Sequence, residues 1–248
     1  MQRYFVEQIK QEQFLITGDD AKHISRVMRM ESGDSIICLS EREGAYLCQL
    51  LEVSSDEVSA KPMEAIDLKT ELPVHVTIAQ GLPKGDKLDY IVQKGTELGA
   101  SRFIPMQTSR AIVKWDEKKS RKKIERLQKI AKEAAEQSYR AKVPVVENSV
   151  SFKGLIEQSK QFDQILVAYE EVAKQHETSQ LANVLQTLEN EHSILVVIGP
   201  EGGLSEDEVC QLEQVGAKIC GLGPRILRTE TASLYVLAAL SYQLELLR

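Results

Sequence analysis

"IGPEGGLSEDE", Ile198 to Glu208, decides the reading of this chain: three of its 14 glycines, Gly199, Gly202 and Gly203, crowd into that short stretch. Two more, Gly221 and Gly223, follow in "GLGPRILRTETA". Glycines at such density serve either turn geometry or the close approach of backbone to a ligand. The apolar run "SILVVIG" leads into the stretch. Out of it comes "LSEDEVCQLEQVG", where Ser205 stands as a helix N-cap, Glu208 at the capping-box position and Gly216 as the C-terminal stop. The segment is therefore a strand-to-loop-to-helix junction, and turn geometry explains part of its glycine content.

Outward from that junction, back to Val74, strands alternate with helices, the pattern of a parallel sheet covered on both faces. "VHVTIAQ", "RFIPM", "DQILVAY" and "SILVVIG" read as strands, the last two nearly all apolar as strands buried on both sides should be. "DKLDYIVQKGTEL" sets Leu88, Ile91, Val92, Gly95 and Leu98 on one helical face and stops at Gly99. The segment from Lys118 to about Arg140 is a second helix, with Ile124, Leu127, Ile130, Ala131 and Ala134 inward. "TETASLYVLAALSYQLELL" is apolar around most of its circumference, which predicts burial on more than one side, in the core or at a subunit interface. Residues 1–70 read differently: strands "DSIICLS", "AYLCQLLEV" and "EVSAKPMEAI", a helical insert "DDAKHISRVMR" with Asp19 or Asp20 as N-cap, and a small β-barrel as the best fit. The polar "DLKTELP", Asp67 to Pro73, marks the boundary, giving domains at 1–70 and 73–248.

A chain of 248 residues buries an ordinary core without metal or disulfide support. Its opening is polar and no run approaches the roughly 20 apolar residues of a membrane span, so a cytoplasmic protein with no membrane partner is expected. Cys38, Cys48, Cys210 and Cys220 are spaced too widely for a zinc site, and His23, His75, His176 and His192 are scattered, so no metal is expected. Net charge is −6, against a nucleic-acid partner, but Lys114 to Lys142 holds 11 Lys or Arg against 5 Asp or Glu. That run is either a solvated helix face or an electrostatic footprint for phosphates.

The familiar glycine loops do not match. There is no G-x-x-x-x-G-K-[ST], no G-x-G-x-x-G at a first βα turn and no G-x-S-x-G. Glu201 inside the loop would repel a phosphate, so an adenosine or amino-acid moiety suits it better.

"IGPEGGLSEDEV" with "LGPRILRTETAS" resembles the two C-terminal signature segments of the RsmE family, SPOUT-superfamily methyltransferases that modify N3 of a uridine in small-subunit (16S) ribosomal RNA. "QGLPKGDKLDYIVQKGTELGASRFIP", "EAAEQSYRAKVP", "RYFV" and "HISRVMRMESGD" resemble other blocks of that family, so the likeness spans essentially the whole chain. Departures are Met28 for leucine and Leu204 for a common aromatic. The resemblance implies an α/β fold: a C-terminal parallel-sheet SPOUT domain with a deep trefoil knot, and a PUA-like N-terminal β-barrel that binds RNA. It further implies S-adenosylmethionine as cofactor and a homodimer with its active site completed at the interface.

Carried over by matching segment, the cofactor residues would be Val167, Ala168, Tyr169, Gly199, Pro200, Gly202, Gly203, Leu222, Gly223, Leu227, Thr229, Thr231 and Ala232. Each glycine alone also fits a plain turn, and each leucine a plain core. Arg228 is the expected orienting or charge-stabilising group, and Glu201 or Glu230 the proton acceptor; alternatively Arg228 and Glu230 pair locally at the start of the last helix. RNA contacts are expected from Arg3, Lys22, His23, Arg26 and Arg29 in the barrel and from Lys118, Lys119, Arg121, Lys122, Lys123, Arg126 and Arg140 along the basic helix. The alternatives are a SPOUT enzyme methylating a ribose 2′-hydroxyl and an RNA-binding ribosome assembly factor without catalysis.

Overall fold

The computed structural model describes residues 1–174 and 179–247; His176 lies outside them. The chain divides into two compact units, one of residues 1–71 with 135–143, the other of 72–134 with 144–248. The N-terminal unit therefore takes in a short segment from the far end of the basic helix, which the boundary at 67–73 alone does not anticipate.

In the first unit β1 (Arg3–Phe5), β2 (Gln8–Lys10), β3 (Gln13–Thr17), β4 (Ser35–Ser40), β5 (Gly44–Val53) and β6 (Glu57–Ile66) form one curled sheet in the order β1-β4-β5-β6-β3-β2. The sheet is open, with β1 and β2 as its edges, so the expected barrel is a half-barrel. Register shifts between β5 and β6 bend the pair, and Pro62 sits opposite Cys48 beside one of them, where a missing ladder donor is tolerated. Tyr4, Phe14, Ile16, Ile36, Leu50 and Val58 fill the concave face. The helical insert is α1 (Gly18–Lys22), continued as a π-turn over His23–Val27. Its N-cap is Thr17, with no side-chain cap bond, and not Asp19 or Asp20. β3 runs directly into the helix, so both aspartates fall within the first turn, where they still complement the helix dipole.

The second unit holds a wholly parallel sheet in the order β10-β8-β7-β12-β11-β13, with a short β9 beside β8. Its strands are β7 (His75–Gly81), β8 (Arg102–Gln107), β9 (Val145–Val146), β10 (Val150–Ser151), β11 (Gln164–Ala168), β12 (Ser193–Ile198) and β13 (Lys218–Cys220). The helices are α2 (Lys87–Glu97), α3 (Glu117–Gln137), α4 (Phe152–Ser159), α5 (Glu170–Lys174), α6 (Gln180–Thr187), α7 (Glu206–Gln214) and α8 (Thr229–Ser241). β12 is buried from Ile194 to Ile198, as its apolar run requires. On α2 the residues Leu88, Ile91, Val92 and Gly95 are buried; a Cβ on Gly95 would stand 2.8 Å from the Phe103 ring of β8. The capping box of α7 is present in full, with Ser205 Oγ accepting from the Glu208 N–H at 3.2 Å and Glu208 Oε2 accepting from the Ser205 N–H at 2.9 Å.

Candidate functional site

β11 and β12 end side by side, with Ala168 opposite Ile198. The segments that follow β11, β12 and β13 line a cavity of about 430 Å³ at these carboxyl ends. In an open parallel sheet, that edge is where ligands bind.

Packing fixes the glycine loop there. A Cβ on Gly199 would lie 2.9 Å from the Gly203 carbonyl carbon, and one on Gly81, at the end of β7, 2.5 Å from Pro200. Gly203 has φ +70°. So the loop folds back on itself and against β7 at distances only bare backbone permits.

Beneath it lies a buried polar network that no sequence motif announced. Gln80, interior to β7, donates through Nε2 to Thr229 Oγ1 at 2.8 Å and to the Gly199 carbonyl at 3.4 Å. Its Oε1 accepts from Ser233 Oγ at 2.7 Å, and Thr229 Oγ1 donates to the Gly199 carbonyl at 2.6 Å. The first turn of α8 is thereby tied to the glycine loop. Buried polar groups so satisfied rigidify a site. The loop's outer side is held by α7, since the capping carboxylate of Glu208 also accepts the Ser109 N–H at 2.7 Å, and by Arg110, which donates to the Gly202 carbonyl at 3.4 Å.

Of the expected cofactor residues, Ala168, Tyr169, Gly199, Pro200, Gly203, Leu222, Leu227, Thr229 and Ala232 line the cavity, together with Glu201 and Arg228. Val167 does not; its side chain is in the sheet's core. Gly202, Gly223 and Thr231 are not on the wall either, and Glu230 stands behind it on the first turn of α8. Lys87, Glu170, Ile198, Leu204 and Arg225 complete the lining and were not anticipated. Lys87 could have been, since it lies in the "KGDK" of a block already singled out.

Lys87 Nζ stands 2.9 Å from Glu201 Oε1 and 3.4 Å from Glu230 Oε2. Partial burial pushes the Glu201 carboxyl upward, but the Lys87 ammonium and the backbone N–H groups outweigh it and hold the group below the ordinary carboxylate value. The hydrogen bond to Glu201 in turn raises Lys87. Arg228 is exposed and makes no ion pair with a described residue.

The volume is that of a small-molecule site. Apolar walls from Ile198, Leu204, Leu222 and Leu227 suit a planar base, while the Glu170 and Glu201 carboxylates favour a ligand of positive charge. An adenosine carrying a sulfonium fits both. Among the described residues no three His, Cys, Asp or Glu side chains gather as a metal site needs.

The basic residues divide. Lys22, Arg26 and Arg29 are exposed around the π-turn, with Arg29 at φ +52°, while His23 shares a 2.9 Å hydrogen bond with the Tyr4 hydroxyl. Arg3 lies 4.0 Å above the Tyr139 ring. On α3, Lys119 pairs with Asp116, Arg121 with Glu125 and Arg126 with Asp89, Lys123 sits 5.0 Å from the Trp115 ring, and Lys118 and Lys122 pair with no described residue. Arg140 is a correction: it is 2% exposed and its guanidinium is bound to Glu71, so it has no face for a phosphate. A bidentate carboxylate partner and burial turn what reads as a surface cation into a structural one.

Known proteins agree with this geometry. Residues 70–241 match a family model described as an RNA methyltransferase domain, and residues 16–63 one described as an RNA methyltransferase PUA domain. The chain is 54% identical to the ribosomal RNA small subunit methyltransferase E of Bacillus subtilis, covering 100% of this chain and 99% of that one. The crystal structure of a ribosomal RNA small subunit methyltransferase E from Neisseria gonorrhoeae bound to S-adenosyl methionine superposes with a TM-score of 0.82 at 25% identity over 97% of each chain. A putative methyltransferase from Legionella pneumophila with the cofactor SAM bound gives the same TM-score and identity over 96% of each chain.

Proposed function

Because this chain belongs to the ribosomal RNA small subunit methyltransferase E family, we propose that it methylates N3 of a uridine in 16S ribosomal RNA, using the cavity at the ends of β11 and β12. It is an S-adenosylmethionine-dependent ribosomal RNA methyltransferase. The observation that carries the reading is the cavity itself: apolar walls, acidic groups and an unpaired arginine converge at the strand ends, in a family with a cofactor-bound structure.

S-adenosylmethionine supplies a methyl group on a positively charged sulfur, which departs as a neutral thioether when the carbon–sulfur bond breaks. Leu222 and Leu227 wall the adenine, and the glycine-loop backbone approaches the cofactor closely because no side chain intervenes. Uracil N3 has no available lone pair until its proton leaves. A carboxylate, Glu201 or Glu230, takes that proton, and the freed pair forms the nitrogen–carbon bond. Arg228 orients the base and stabilises negative charge on its oxygens. Positioning supplies much of the rate, and proton removal about 10² to 10⁴-fold more. Lys22, Arg26 and Arg29, with the outward lysines of α3, hold RNA phosphates.

A homodimer and a deep C-terminal knot belong to the same proposal. The exposed Tyr235 and Tyr242 on one side of α8, 41% and 57% accessible, support the dimer, and the seating of β13 beside β11 rather than β12 is consistent with a knot. Sedimentation as a monomer would sink the first, an experimental chain trace that pulls straight the second. The proposed site of action is the cytoplasm; no described helix is long and apolar enough to cross a membrane.

The test of the reaction is transfer of labelled methyl to small-subunit particles lacking their own modifications, followed by separation of nucleosides. Label in 3-methyluridine is expected. Label in a 2′-O-methyl nucleoside, or cofactor binding with no transfer to any small-subunit RNA, contradicts it.

A further inference from the structure

We propose that Lys87 is a positioning residue for this reaction: by binding Glu201 and Glu230 together it makes Glu201 a fixed anchor and leaves Glu230 to take the N3 proton. The inference rests on the reading of the site as a base-nitrogen methyltransferase.

Lys87 opens α2, Glu201 lies within the glycine loop, and Glu230 is on the first turn of α8, so one ammonium joins three segments of the site. The two carboxylates are not equivalent. Glu201 Oε1 accepts from Lys87 Nζ at 2.9 Å and also from the Lys84 N–H at 3.1 Å. An oxygen engaged by two donors is stabilised as the anion and poorly suited to receive a proton. The lowered Glu201 carboxyl agrees with that geometry.

Glu230 differs. Its Oε2 is buried, stands 3.4 Å from Lys87 Nζ, and has no hydrogen-bond donor among the described residues. The side chain is 16% exposed and two residues from Arg228. The contact with Lys87 fixes the carboxylate's direction while leaving that oxygen without a donated hydrogen. The other charged side chains around the cavity are Glu170, Arg225 and Arg228, and among the described residues Lys87 is the one cation paired with either Glu201 or Glu230.

A group acting only through Glu230 must be silent once Glu230 is gone, which a double-mutant cycle reads directly. The full-length protein is assayed at saturating cofactor and RNA for kcat, and cofactor affinity is measured separately by calorimetry. Lys87→Met is expected to lower kcat by about 10²-fold, the lower end of what a placed base contributes, with cofactor affinity held within a few-fold. Lys87→Arg, which keeps a cation in reach, restores most of the loss. Glu230→Gln is at least as slow as Lys87→Met, and the double variant is no slower than Glu230→Gln alone. Losses that multiply in the double variant, or cofactor affinity that falls in step with activity, overturn the proposal, since Lys87 would then hold only the loop. A Glu230→Gln enzyme of normal rate overturns the assignment of the acceptor itself. A dead Glu230→Gln beside an unimpaired Lys87→Met overturns the role of Lys87 alone.

Discussion

Arg228 lines the cavity with no ion-pair partner among the described residues, so its replacement removes a charge from the reaction without dismantling a network. Arg228→Ala is expected to lower kcat by about 10² to 10³-fold, as loss of one preorganised charge-stabilising group does, with cofactor affinity little changed. Activity within a few-fold of the parent would show that the guanidinium faces something other than the reacting base. At this scale sequence pattern reaches as far as chemistry that is local in the chain. The Ser205 and Glu208 capping box was legible because both partners lie within one turn. Gln80 and Lys87 were not, because what distinguishes them is a set of partners more than a hundred residues away, at Gly199, Glu201, Thr229 and Glu230.

Among the elements, the segment 135–143 is fastened to the N-terminal unit by Arg140. Burial raises the Glu71 carboxyl, but the Arg140 guanidinium and the N–H groups of Ala141 and Lys142 outweigh it and lower the group overall. A lowered carboxylate contributes stability above its unfolded pKa of about 4.3 and loses it as pH falls through the still lower folded value. The stability gap between the parent and Glu71→Gln should therefore be full at pH 7 and shrink in acid. Arg140→Ala should cost on the order of 3 kcal/mol at pH 7, the scale of breaking a buried pair. Denaturant unfolding at pH 7 and in acid checks both; a gap independent of pH would mean that Glu71 is not held ionised. Element identity was otherwise readable from periodicity: strands β7, β8, β11 and β12 and helices α2, α3, α7 and α8 stand where apolar spacing put them. The cap of α1 and the openness of the N-terminal sheet were not readable, since one depends on how β3 enters the helix and the other on which strand edges meet.

For the whole molecule, the net charge of −6 conceals a basic tract, and three of its cations, Lys119, Arg121 and Arg126, are paired. Exposed pairs of this kind are weak, so they yield to phosphates without large cost. Affinity for ribosomal RNA should fall steeply with salt, and replacing Lys118 and Lys122 by Gln should reduce the slope of log affinity against log salt by about 1 per lysine. An unchanged slope would return that helix to a solvated face. The most direct test of the central claim, that the glycine loop serves a ligand and not only a turn, is calorimetric titration of S-adenosylmethionine into three proteins: the parent, Gly199→Ala and Gly216→Ala. Gly216 has φ +91° at the end of α7 and does not line the cavity, so its replacement strains the backbone without touching the site. The account predicts one cofactor per chain for the parent and for Gly216→Ala, and a loss of about 100-fold or more in affinity, some 3 kcal/mol, for Gly199→Ala. Equal affinity in all three would contradict it, and would leave these glycines to the turn alone.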